Sequence, residues 1–208
     1  MIAITQCLDF LDDKHIKKIS DFYLLLLKNK NKDVYEHSCQ VANYATSTAA
    51  KMGLSRSEVS RIKIAALLHD LGQLAVPNLV LNKYPYLSPK ELSLYKRHCD
   101  AGYSMLENIP GFEYIIDMIR YHHEAWNGTG YPKRLKGQNI PLGARIIAVC
   151  NFYDRHINPC SALYEKSHEA GVQELLDKSG MEFDPVVVKA FLDAVVASEI
   201  EESHQAQA

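Results

Sequence analysis

Apolar residues recur every three to four positions along most of this chain, the period of a helix that buries one face. Ile16, Ile19, Phe22, Tyr23 and Leu26 form the first such stripe and predict a helix over residues 15–29, which "NKNKD" interrupts. A second helix is expected over 34–52, stopped by Gly53. "SRSEVSRIKIAALLHDL" opens with Ser55 or Ser57 ahead of Glu58, the pattern of a reciprocal N-terminal cap, and ends near Gly72. A loop punctuated by prolines follows, and Ser88, Pro89 and Glu91 then start another helix in the same way. Further helices are expected over 111–124, over 141–155 from Pro141, along "SHEAGVQELLDKSG", and from the Asp184–Pro185 cap onward. No alternating apolar and polar run is long enough to argue a strand. The expected fold class is all-α.

The informative positions are those that interrupt the apolar stripes. His37 shares a face with Val41 and Ala45, and His69 shares one with Ile62, Ala65 and Ala66. Asp70 follows His69 in a nearly all-apolar segment. His98 lies between Leu94 and the group Ala101, Gly102 and Met105. His122 and His123 follow Ile115, Ile116, Met118 and Ile119, and Asn151 follows Ile147 and Ala148. A buried polar group is costly without a partner, and a buried carboxylate is rarer still. One inward histidine is ordinarily a hydrogen-bonded core residue. Five of them on four helices, with a carboxylate beside one, are satisfied together by bound cations. Imidazole with carboxylate suits zinc, iron, manganese or nickel and does not describe a thiolate site. His15, His156, His168 and His204 lack such context and are expected at the surface.

Composition narrows the setting. A chain of 208 residues suits one domain with a short lead-in, and 47% hydrophobic with 23% charged residues is ordinary for a globular protein. The net charge of −2 leaves no basic footprint for nucleic acid. No apolar run approaches the ~18 residues of a membrane span. The five cysteines form no CxxC pair and the start lacks a signal-peptide pattern, so reduced thiols and a cytoplasmic location are expected. The expected organisation is a helical lead-in over 1–30, a main domain over 31–198 and a frayed tail over 199–208.

"AALLHDLG" at 65–72 resembles the His-Asp signature of HD-domain metal-dependent phosphohydrolases. "HHEAWNGTGYP", followed by "LKGQNIPLGARIIAV", resembles the HD-GYP subfamily. "YEHSCQVA", "LYKRHCDAGYSML" and "GMEFDPVVVKAF" fit the same pattern in the same order, over roughly residues 30–195. The resemblance implies an all-α bundle around a di- or trinuclear metal site and hydrolysis of cyclic di-GMP. It implies His37, His69, Asp70, His98, His122, His123 and Asn151 as metal ligands, with Asp33 reaching a third ion or capping its helix. His69 and Asp70 would be catalytic, and Gly130, Tyr131, Pro132 and Arg145 would lie on the substrate side. Glu124 would orient an imidazole, and Trp126 would anchor the loop. The implied cofactors are two or three divalent ions, iron or manganese first, zinc or nickel as alternatives. The implied partner is cyclic di-GMP or a related phosphoester, with a protein partner or a second copy also open.

Three departures from that pattern stand out. Gln73 replaces a lysine, Asn151 replaces an aspartate ligand, and Cys160 stands near an expected phosphate-gripping arginine. Arg155 and Lys166 are candidate replacements. Together these imply a phosphodiesterase of reduced or altered activity, or a metal-bearing domain that binds a nucleotide or a protein without turnover.

Overall fold

The computed structural model describes residues 13–158 and 167–205, with side chains described for 14–158 and 167–195. Among the described residues ten α-helices follow one another: α1 (Asp13–Lys30), α2 (Lys32–Lys51), α3 (Arg56–Leu68), α4 (Asn78–Leu81), α5 (Pro89–Lys96), α6 (His98–Leu106), α7 (Ile116–Arg120), α8 (Leu142–Ile157), α9 (His168–Lys178) and α10 (Pro185–Gln205). A 3-10 turn, Leu71–Ala75, joins α3 to α4. Among the described residues there is no strand, only one isolated bridge between Ser179 and Phe183. None of the described helices is long and apolar enough to cross a membrane. The helix α10 extends to Gln205, within the stretch expected to fray, and residues 206–208 lie outside the described residues.

Local chemistry sets most of these boundaries. Ser55 accepts from the Glu58 amide while Glu58 accepts from the Ser55 amide, and Ser88 with Glu91 repeats the arrangement. Asp184 takes the Val186 amide at 2.9 Å at the start of α10. Asn31, not Asp33, caps α2: its side chain accepts from the amides of Asp33 and Val34.

Around α2 the core closes. Val41, Ala42, Ala45 and Ala49 face Ile62, Ala65 and Ala66 of α3, with α8 and α10 packed on the other sides. Small side chains on both faces let α2 and α3 approach closely. The stripe on α1 is rotated from its expected position. Leu24 and Leu27 are buried, with Ile16, Ile19 and Tyr23 partly so, while Phe22 and Leu26 are exposed. Four consecutive leucines permit two apolar faces, and packing on α2 selects one.

Two expected helices are broken. The segment after Ser88 divides at Arg97 into α5 and α6, and the segment expected over 111–124 contains only the short α7. The first break has a steric partner. A Cβ on Gly72 would lie 1.8 Å from the His98 carbonyl oxygen, so the 3-10 turn and the start of α6 pass backbone against backbone. That crossing sets His69 and Asp70 beside His98.

Candidate metal centre

Three of the imidazoles are built by one device. A helix leaves its last carbonyls without intrahelical donors. His69 Nδ1 donates to Ala66 O at 2.8 Å, His98 Nδ1 to Tyr95 O at 2.7 Å, and His122 Nδ1 to Ile119 O at 2.7 Å. Each histidine therefore sits at or just beyond the end of α3, α5 or α7, its proton held on Nδ1 and its Nε2 lone pair aimed inward. His69 and His122 follow the last turns of α3 and α7, close to the ends expected for those helices, while His98 falls at the break between α5 and α6, where one continuous helix was expected.

The inward atoms meet at Asp70, whose side chain is wholly buried. Asp70 Oδ1 lies 3.4 Å from His98 Nε2 and 4.0 Å from His122 Nε2, and Oδ2 lies 3.4 Å from His69 Nε2. His123 packs against His122 with ring centroids 4.1 Å apart. His98, Cys99, His122 and His123 present ligand atoms within 4.8 Å of one another, and so do His37, His69 and Asp70. Among the described residues, nothing hydrogen-bonds to the buried atoms Asp70 Oδ1, His69 Nε2 and His123 Nε2. Acceptors held together without donors are what a cation satisfies, so these residues fit a divalent metal.

Protonation agrees with that use. Burial pushes His122 and His123 well below the usual imidazole range, and the neighbouring imidazoles push the same way. Burial alone would raise Asp70, but His69 and Arg155 hold its carboxyl well below the usual range. Neutral imidazole and ionised carboxylate are the ligating forms.

The second half of the centre is filled differently. Arg155 Nη2 donates to Asp70 Oδ2 at 2.7 Å and Arg155 Nε to Asn151 Oδ1 at 2.9 Å. His37 sits between Asp154 Oδ2, 2.5 Å from Nδ1, and Asn151 Oδ1, 2.9 Å from Nε2. Asp154 thus orients His37. The aromatic ring of Tyr84 lies 5.5 Å from the Arg155 guanidinium. Sequence reasoning gave Arg155 only as a phosphate-gripping replacement. Its position one turn after Asn151 on α8 was the available signal for this bond.

Other expected residues fall outside the convergence. Asp33 is exposed in the first turn of α2 and belongs to neither ligand group. It borders a separate cavity of 180 Å³ with Gln73, Tyr84, Tyr95 and Arg155. Gln73 is buried and donates to Tyr95 Oη at 3.4 Å. Arg145 is held by Asp184 at 2.6 Å and by Ile140 O at 2.9 Å, a latch between α8 and α10. Glu124 orients no imidazole; it takes the Lys133 and Leu135 amides at 2.6 and 2.9 Å and so fixes the loop. Trp126 ties that loop to the turn before α10 through its amide and the Glu182 carbonyl. Gly130 lies on the backbone of residues 123–125, where a Cβ would come within 2.3 Å of the Ala125 nitrogen. Tyr131 stacks on His123 with centroids 4.7 Å apart, and Pro132 follows it half-buried at the loop surface. His156 is buried against Glu174 rather than at the surface. Cys160 and Lys166 lie outside the described residues.

A cleft of 440 Å³ opens onto His122, His123, Asn151 and Arg155. Among the described residues that line it, Arg155 is the one Lys or Arg, beside Glu124, Glu174 and Glu182.

Comparison with known proteins agrees with this geometry. Residues 24–187 match the family described as HD domain. A cyclic di-GMP phosphodiesterase of Thermotoga maritima is 32% identical over 170 residues, covering 81% of this chain and 46% of the relative. The 3'3'-cGAMP-specific phosphodiesterase 2 of Vibrio cholerae is 31% identical over 166 residues, covering 79% and 32%. This chain thus spans half or less of the length of these two relatives. Among solved structures, the HDG"Y"P protein Bd1817 of Bdellovibrio bacteriovorus superposes with a TM-score of 0.64 at 24% identity, covering 78% of this chain and 52% of that one. The HD domain of the phosphodiesterase PgpH from L. monocytogenes, in complex with cyclic-di-AMP, gives 0.63 at 18% identity, covering 88% and 97%.

Proposed function

This chain belongs to the HD-domain family, in its HD-GYP branch, and from that premise we propose that it hydrolyses a phosphodiester bond of a cyclic dinucleotide, slowly. The observation that carries this is the convergence of Asp70 with His98, His122 and His123 beside a cleft that His122 and His123 line, with Asp70 Oδ1 and His123 Nε2 left without a hydrogen-bond partner among the described residues. Cyclic di-GMP is the first candidate, because the Thermotoga relative acts on it; 3'3'-cGAMP and cyclic di-AMP are the neighbouring chemistries.

Asp70 and the imidazoles would hold a divalent ion, iron or manganese by family likeness, with zinc fitting the same ligands. Such an ion polarises a phosphoryl oxygen and makes a water acidic enough to attack. The chain's own groups do the positioning. The Ala66, Tyr95 and Ile119 carbonyls fix three imidazoles in one tautomer. Tyr131 closes one side by stacking on His123, and Glu124 keeps that loop in place.

Slow turnover follows from charge. Arg155 is committed to Asp70 and Asn151, Gln73 carries no charge, and the other charged residues among the described lining of the cleft are Glu124, Glu174 and Glu182. A charge-assisted contact to phosphate contributes about 1.5–3 kcal/mol, so each one missing lowers the rate by roughly 10- to 100-fold. These same features favour a second reading, a nucleotide-binding signalling domain without turnover. Incubating manganese-loaded protein with cyclic di-GMP, 3'3'-cGAMP and cyclic di-AMP, then separating the products chromatographically, decides between them. Linear dinucleotide from at least one substrate supports the enzyme. Binding by calorimetry with no product supports the second reading. Neither product nor binding removes both.

A further inference from the structure

We propose that the Arg155 guanidinium is a built-in cation that takes the place of one metal ion, so that the centre holds a single divalent ion on the His98–His122–His123 side of Asp70. This rests on the metal-centre reading above but not on any turnover. Two observations carry it. First, the oxygens an ion would take on the His37 side are already engaged: Asp70 Oδ2 and Asn151 Oδ1 both accept from Arg155, at 2.7 and 2.9 Å, and Asp154 Oδ2 is paired with His37 Nδ1. Second, the oxygen on the opposite side, Asp70 Oδ1, is buried without any donor, as is His123 Nε2.

Charge balance points the same way. Asn151 is neutral where a carboxylate would add a negative charge, and Arg155 adds a positive one. An ion beside the guanidinium would meet its repulsion in a buried place where screening is weak, and the carboxylates that could offset it are already engaged, Asp70 by Arg155 and Asp154 by His37. A planar guanidinium donates along two directions at once and matches two oxygens held side by side. The ring of Tyr84 over the guanidinium helps to hold it there.

The remnants of a second site persist. His37, His69 and Asp70 still present atoms within 4.8 Å, and His69 Nε2 has no partner. Removing the guanidinium and restoring a carboxylate should therefore reopen it.

The test counts ions. Full-length protein is loaded with Mn²⁺, desalted and analysed by plasma mass spectrometry and electron paramagnetic resonance. The expected result is about one ion per chain with the six-line spectrum of an isolated Mn²⁺. His37→Ala should keep that ion, and His122→Ala should lose it. The double variant Asn151→Asp, Arg155→Ala should retain about two ions and show an exchange-coupled spectrum. Two ions in the unaltered protein, or loss of its ion in His37→Ala, would overturn the proposal while leaving the metal centre intact. No ion in the unaltered protein, shown folded by circular dichroism, would overturn the centre itself. The wild-type count and His37→Ala decide the matter even where the double variant does not fold.

Discussion

On one side of Asp70, Oδ1 faces His98 and His122, and no described residue donates to it. On the other side, Oδ2 takes a guanidinium N–H at 2.7 Å, and the neighbouring amide oxygen of Asn151 takes another. The two sides share one carboxylate and the same fold of origin, yet one is an open set of acceptors and the other is largely closed by the protein itself. The difference comes from two positions a turn apart on α8. It teaches that a helical frame can keep its metal-binding geometry while a single side chain changes which cation fills it.

Breaking both sides at once gives the largest effect. Asp70→Asn keeps the shape, removes the shared charge and leaves Arg155 without its carboxylate. It should abolish ion retention, measured by plasma mass spectrometry. It should also lower stability by about 3 kcal/mol or more in a denaturant titration, the cost of breaking a buried pair. Retention of the ion would show that the imidazoles alone suffice.

Gly72→Ala breaks only the open side. Its Cβ would overlap the His98 carbonyl and force α6 away from Asp70. The expected cost is about 3 kcal/mol, seen as a Tm roughly 6–12 °C lower, with weaker ion binding. An unchanged Tm would show that the crossing relaxes at no cost.

Chelation sharpens the comparison without mutation. An ion present at about a hundredfold over its Kd contributes about 2.7 kcal/mol, so adding chelator should lower Tm by roughly 5–10 °C. Arg155 remains in place under chelator, so the loss should be confined to the open side. Hydrogen exchange should then rise around 98–106 and 119–124 more than around 151–155.

The smallest effect serves as a control far from both sides. Glu91, bonded to Lys83 and Ser88, has its carboxyl lowered to about 2. Its contribution is present above the ordinary carboxylate range and is lost as pH falls towards 2. Glu91→Gln should flatten the acid limb of the stability profile slightly and leave the ion count unchanged. A steep change in either would mean that α5 is coupled to the centre.

Much of this was legible in the sequence. The helical periodicity, the Ser55–Glu58 and Ser88–Glu91 caps and the inward facing of the histidines follow from local pattern, while their grouping with Asp70 was implied by the family resemblance. Legibility failed where tertiary contact overrides the local pattern. Leu24 and Leu27, not Phe22 and Leu26, face the core, because four leucines in a row carry no phase of their own. The break at Arg97 depends on Gly72, distant in sequence, meeting the His98 backbone. Arg145 is bound to Asp184 across the fold, which no spacing reveals. The role of Arg155 needed both Asp70 and Asn151 in view at once.

Anomalous diffraction at the manganese edge, from crystals of the full chain grown with Mn²⁺, tests the central claim most directly. A single peak within bonding distance of Asp70 Oδ1 and the Nε2 atoms of His98, His122 and His123, with the guanidinium density still on Asp70 Oδ2, is the predicted result. Density for an ion between His37, His69 and Asn151, or no anomalous peak beside Asp70 at all, would contradict it.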